Sequence, residues 1–257
     1  MKKTLLAGFV LSAFAASSAM AADLARPVYK AAPPAVEVFD WSGLYLGAHV
    51  GYGWGKTEIT DHTLLGNILL IPTQSFNING ALGGVQGGWN YQFGRFVLGS
   101  EVDFSWADVK GNQTSTFLGG VVPATINRSS KATWMGTATT RLGYAWDRVL
   151  IYSKIGAAWA HFDYNDTATI LGATVYNSGA SENRSGWTVG TGIEWAFLGG
   201  WSAKVEYDYI DFGRRTVDFA PVAGVIPVNL DIDQRISQVK VGLNYRFGGM
   251  GPLVAKY

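Results

Sequence analysis

Trp41-Ser42-Gly43-Leu44-Tyr45-Leu46-Gly47-Ala48-His49-Val50-Gly51-Tyr52-Gly53-Trp54 alternates large apolar residues with small or polar ones. Leu44, Leu46, Ala48, Val50, Tyr52 and Trp54 share one parity; Tyr45, Gly47, His49, Gly51 and Gly53 share the other. A period of two predicts a β-strand with two unlike faces rather than a helix.

The same pattern returns over residues 79–93, 96–107, 133–146, 186–197, 201–211 and 236–247. Their apolar faces carry Val85, Trp89 and Tyr91; Leu98, Val102 and Phe104; Leu142 and Tyr144; Val189 and Ile193; Val205 and Tyr207; Val241 and Leu243. Residues 149–162 alternate less clearly, but facing Lys154 inward turns Val149, Ile151, Ile155 and Trp159 outward. Eight strands result. Tight turns at Gly94-Arg95, Asp147-Arg148 and Leu198-Gly199-Gly200 alternate with long polar connections near residues 55–78, 108–132, 163–185 and 212–235. Short turns at one end and long loops at the other predict an all-β, eight-stranded antiparallel up-and-down transmembrane barrel, with turns periplasmic and loops extracellular.

The charges decide which face meets lipid. In the seven clear strands no Asp, Glu, Lys or Arg lies on the aromatic-aliphatic parity, save Asp211 at the loop-side limit of residues 201–211. A cation on the lipid face near the midplane would cost about 2–4 kcal/mol. Tryptophans collect at strand ends: Trp54, Trp106, Trp134 and Trp187 at the loop side, and Trp146, Trp195 and Trp201 at the turn side, with Trp41 just before the first strand. Amphipathic rings favour the membrane–water interfaces, so these read as two girdles.

The composition agrees. Of 257 residues, 33 are glycine, 10 are tryptophan and only 15% are charged. Soluble domains average about 25% charged and about 7% glycine. With no cysteine, disulfide scaffolds, thiolate zinc sites and cysteine nucleophiles are excluded. A net charge of +1 gives no general attraction to nucleic acid.

The chain opens with Met1-Lys2-Lys3 and an apolar run ending in Ala19-Met20-Ala21. This predicts a signal peptide over residues 1–21, cut between Ala21 and Ala22. Residues 22–40, with Pro27, Pro33 and Pro34, read as a periplasmic linker. The barrel is expected over residues 41–247 and a C-terminal extension over 248–257.

Inward-facing charges are Glu101, Asp103, Glu194, Glu206 and Asp208 against Arg141, Lys154, Lys204, Lys240 and Arg246. An eight-stranded barrel is only wide enough for side chains to fill it. The expectation is therefore a paired charge network, with Glu101 meeting Arg141 and Glu206 meeting Lys240, rather than an ion-selective pore.

Chemistry is sparse elsewhere. His49, His62 and His161 have no metal-ligand spacing. Asp61-His62 reads as a polar loop dipeptide. Gly55-Lys56-Thr57 has Val50 where a phosphate loop needs its first glycine. Asn112, Asn127, Asn165 and Asn183 begin Asn-x-Ser/Thr triplets that fall in polar loops. Haem is the one ligand class worth carrying, with His49, His62 and Tyr176 as weak candidates. No catalytic site, metal site or resident cofactor is assigned.

The stretch Trp41-Ser42-Gly43-Leu44-Tyr45-Leu46-Gly47 resembles the opening strand of the alphaproteobacterial outer-membrane surface-antigen family, small opacity-like barrels often labelled "porin family". Arg141-Leu142-Gly143-Tyr144, Val205-Glu206-Tyr207-Asp208-Tyr209 and Val241-Gly242-Leu243-Asn244-Tyr245-Arg246-Phe247 resemble it too. The resemblance spans residues 41–247. It implies an abundant surface antigen that supports the envelope; a few relatives bind hemin. Tyr245 and Phe247 resemble the terminal signal read by the barrel-assembly machinery, although Gly248–Tyr257 follow here.

The leading expectation is a non-enzymatic outer-membrane barrel that supports envelope integrity and presents surface loops. Behind it stand a small diffusion porin, then a hemin or host-ligand receptor, and last an enzyme. Expected partners are outer-membrane lipid and lipopolysaccharide, the assembly machinery, and a host or environmental ligand at the loops; nucleic acid is not among them.

Overall fold

The computed structural model describes residues 39–61, 73–119, 122–219 and 228–247. They form eight strands: β1 (Gly43–Asp61), β2 (Gln74–Phe93), β3 (Phe96–Gly119), β4 (Val122–Trp146), β5 (Val149–Ile170), β6 (Ala173–Leu198), β7 (Trp201–Phe219) and β8 (Val228–Phe247). Each pairs antiparallel with its sequence neighbour, and β1 closes on β8 from Leu44↔Phe247 to Asp61↔Leu230. Closure leaves no sheet edge within the membrane, where lipid could not satisfy one.

The turns between β2 and β3, β4 and β5, and β6 and β7 are tight. Gly94 (φ 61°), Asp147 (φ 51°) and Gly199-Gly200 (φ 45° and 96°) supply the left-handed backbone that short hairpins require.

The parity assignment holds in every strand, β5 included. Val50 is 67% exposed and Val241 53%, whereas Lys240 between the strands' inner faces is 0% exposed. Leu46, Val102, Ile155, Ile193 and Val205 join the outward apolar band. Two aromatic belts bound it. Trp54, Trp106, Trp159 and Trp187 mark one edge; Phe93, Phe96, Trp146, Trp195, Trp201 and Phe247 mark the other. Among the described residues, no outward Asp, Glu, Lys or Arg lies between the belts. From Leu44 to Trp54 the chain has the roughly 9–11 residues that cross a bilayer at a tilt.

Three expectations need correction. First, the strands run 19 to 26 residues, well into the segments expected to be loops. Their hairpins continue above the membrane because polar, threonine-rich strands pair in water as readily as they would loop. Ile170–Ala173, for example, needs only the two-residue turn Leu171-Gly172, with φ of 51° and 79°. Second, the lumen is not polar throughout. Ile59, Phe76, Ile78, Phe162, Ile210, Phe212, Phe219, Leu230, Ile232 and Ile236 bury an apolar core inside the barrel above the charged layer. Outside the membrane the outer face meets water, so the apolar face turns inward. Third, Trp41 is not a girdle residue. It lies inside the turn-side mouth, buried with Val97, Leu150, Tyr152 and Ala196.

Such a closed ladder is kinetically robust in detergent. We expect the refolded protein to migrate differently on gels before and after boiling; identical mobility would count against a stable barrel.

Candidate functional site in the lumen

The central lumen is built by alternate residues whose outward neighbours are held in the apolar band. Glu101 and Asp103 come from β3, Arg141 from β4, Lys154 from β5, Glu194 from β6, Lys204, Glu206 and Asp208 from β7, and Lys240 from β8. All nine are buried. Closure of the sheet therefore concentrates five carboxylates and four cations in one water-poor layer.

Glu206 is the hub. Its carboxylate lies 2.7 Å from Lys154 Nζ, 3.0 Å from Lys240 Nζ and 3.3 Å from Lys204 Nζ, and accepts a 2.7 Å hydrogen bond from Tyr152 Oη. Glu101 takes Lys204 Nζ at 2.9 Å and the Tyr45 hydroxyl at 2.8 Å. Asp208 meets Lys240 at 2.9 Å and Lys154 at 3.1 Å. Asp103 accepts from the Thr137 hydroxyl and lies 3.4 Å from Lys240. Glu194 engages Arg141 at 3.3 Å and accepts from Ser202 at 2.5 Å and Asn244 at 2.9 Å. The Arg141 guanidinium lies 4.6 Å from the Tyr45 ring centroid and 5.1 Å from that of Tyr152.

The two pairs expected from strand adjacency are present but are not the shortest contacts. Glu206–Lys240 measures 3.0 Å, against 2.7 Å to Lys154 on the non-adjacent β5. Glu101–Arg141 measures 3.6 Å, against 2.9 Å to Lys204 across the lumen. A barrel this narrow lets long side chains meet across its axis, which strand order does not reveal.

Arg246 departs from the expected set. It sits half-buried at the turn-side mouth, 4.3 Å from the Phe39 ring centroid and 5.7 Å from that of Trp41. Trp41 is itself fixed by its N–H donating to Gln92 Oε1 (2.7 Å) and its indole donating to the Asp147 carbonyl (3.1 Å). The layers thus run from an aromatic cap at the turn side, through the ionic layer, to the apolar core.

His49 is not a free haem ligand. It is buried in the lumen, with Nδ1 2.6 Å from Gln86 Oε1 and Nε2 2.8 Å from Ser105 Oγ. Both ring nitrogens are engaged. His62 lies outside the described residues, as do Ala21 and Ala22. Tyr176 belongs to β6, its backbone opposite Ala168. His161 faces outward and stacks on Trp134 at 6.4 Å. The Ser105–His49–Gln86 chain went unrecognised in the sequence, because its members lie on three strands. It has the order of nucleophile, base and orienting group, but its serine is buried and its third member is an amide. Without access or a carboxylate it reads as a hydrogen-bonded filler.

Above the upper belt, outward charges begin at once. Lys56–Glu58 (2.8 Å), Lys110–Asp108 (2.9 Å), Lys131–Asp108 (3.1 Å) and Arg235–Asp233 (3.1 Å) lie there on β1, β3, β4 and β8. Hydrogen bonds from Lys110 and Lys131 hold the exposed Asp108 carboxyl below its ordinary value. The exposed pairs on β1, β3 and β4 add little stability. Their place is just outside the apolar band.

Residues 7–247 match the model of the outer membrane protein beta-barrel domain. The chain is 33% identical to the 31 kDa outer-membrane immunogenic protein of Brucella melitensis, over 96% of this chain and 100% of that protein. It is 26% identical to the 25 kDa outer-membrane immunogenic protein of Brucella canis, over 84% of each. A 22 kDa outer membrane protein of Rhizobium leguminosarum is 28% identical over 69% of this chain and 67% of its own length. Among solved structures, Neisserial surface protein A is similar with a TM-score of 0.38 and 13% identity, covering 80% of this chain and 98% of that one.

Proposed function

The chain belongs to the outer membrane protein beta-barrel domain family, and from that premise we propose that it is a non-enzymatic structural and surface-display protein of the outer membrane, closed to diffusion. The observation that carries this reading is the filling of the lumen. Aromatic cap, ionic layer and apolar core follow one another along the axis; Trp41 in the cap, the ionic layer and the apolar core are buried to within a few percent, and half-buried Phe39 and Arg246 close the mouth.

The mechanism is physical. The apolar band and its aromatic belts fix the protein in lipid, and the ring of charges above them faces the lipopolysaccharide headgroups. The tall hairpins are presented to the outside, to a host or environmental ligand. Residues 1–21 serve as the export signal, cut between Ala21 and Ala22. Tyr245 and Phe247 stand outward at the turn end of β8, their rings 5.0 Å apart, where the assembly machinery can read them.

Orientation is directly testable because the chain has no cysteine. Leu171→Cys, at the exposed tip between β5 and β6, should be labelled on intact cells by an impermeant maleimide. Asp147→Cys, in the turn between β4 and β5, should be labelled only after the outer membrane is breached. The reverse result would sink the display reading. Loss of the protein should also sensitise cells to detergent.

A further inference from the structure

Among the described residues the barrel parts above the membrane along two lines, a shorter one beyond Asn79↔Lys110 between β2 and β3 and a longer one between β6 and β7. β6 and β7 pair only as far as Trp187↔Asp211, among the described residues. Yet β6 continues to Ala173 and β7 to Phe219. On its other side β6 stays paired with β5 up to Ile170↔Ala173, and β7 stays paired with β8 up to Phe219↔Val228. Residues 173–186 and 212–219 are therefore two strand edges facing one seam. At about 3.3 Å per residue the β6 edge runs about 45 Å beyond the last pair and the β7 edge about 25 Å.

The cause of the parting is local. The β7–β8 register shifts between Asp211 and Arg214, and Gly213 takes φ 64° with its amide donating to Asp211 Oδ1 at 2.8 Å. The pairing of β7 with β6 ends at that kink. Side chains replace the ladder at the base of the seam. Arg215 reaches Glu182 at 3.5 Å and Ser185 at 3.5 Å, and Arg184 donates to the Ile232 carbonyl at 2.9 Å.

We propose that this seam accepts an extended polypeptide strand from a protein outside the cell, which pairs with the β6 edge. Three features fit that occupant. An unpaired edge offers N–H and C=O groups that another extended backbone satisfies best. The edge is not blunted in the usual ways: residues 173–186 contain no proline and no lysine, and Asn177-Ser178-Gly179-Ala180-Ser181 is small throughout. Exposed Arg214 and Arg215 flank the seam, while Glu182 is already engaged by Arg184 and Arg215. A strand bearing carboxylates is thus the matched partner; Asp218 lies at the far end. The inference rests on the surface-display reading.

The test uses the refolded full chain in detergent and a short peptide of alternating threonine and valine flanked by glutamates. Amide hydrogen exchange should slow within residues 173–186 in a saturable way. The same peptide N-methylated at alternate amides should lose the effect, since it cannot pair. A Ser185→Cys, Arg215→Cys double variant bridged by a short bismaleimide closes the seam and should also lose it, with its heat-dependent gel shift intact. Equal protection by the methylated peptide, protection elsewhere, or none at all would overturn the proposal. Protection that rises with protein concentration alone would give the edge to a second copy of the chain and overturn it as well. If surface labelling succeeds and peptide protection fails, only this inference falls.

Discussion

Glu206→Gln is expected to destabilise the folded barrel by about 3–5 kcal/mol, the range for breaking a buried ion pair from one side. The substitution preserves shape and removes one charge. It leaves Lys154, Lys204 and Lys240, which lie 2.7, 3.3 and 3.0 Å from the carboxylate, short of one negative charge in a fully buried layer. The cost comes from stranded cations rather than from a lost attraction, because a complete buried network is itself near break-even against an apolar filling. Urea unfolding in lipid vesicles, followed by tryptophan fluorescence, measures it. A loss below about 1 kcal/mol would mean that water reaches the layer and screens it.

Val241→Arg should be nearly as damaging for the opposite reason. Val241 faces lipid between Val50 on β1 and Val205 on β7. A cation there should cost about 2–4 kcal/mol and reduce assembly into membranes. Thr114→Arg on the exposed, water-facing part of β3 should stay within about 0.5 kcal/mol of the parent. Equal tolerance at the two positions would undo the assignment of the lipid face.

Much of this was legible in the sequence. The alternation from Leu44 to Trp54 determined the face of every residue in the first strand, and the absence of outward charge identified the solvent as lipid. Even β5 followed once Lys154 was turned inward. What escaped was the reversal of phase. Along β1 the outward apolar residues end at Trp54 and the inward one is Ile59; along β5 they end at Trp159 and the inward ones are Phe162 and Tyr164. Above the membrane the same alternation runs with its faces exchanged, so it looks like a loop to a reading that expects one apolar parity throughout. Trp41 was misplaced because a tryptophan at a strand end fits a girdle and a plug equally well. The ionic contacts were legible as membership but not as pairing, since sequence gives each side chain a face and a height but not its reach across the axis. For the same reason the Ser105–His49–Gln86 chain and the parting of β6 from β7 became visible only in three dimensions.

The central claim is that the lumen is closed. Purified, refolded protein in planar lipid bilayers tests it most directly. The filled aromatic, ionic and apolar layers predict insertion without stepwise conductance, at any applied voltage that the bilayer tolerates. Stable, reproducible unitary steps from the wild-type barrel would contradict that account and make the charged layer the lining of a pore.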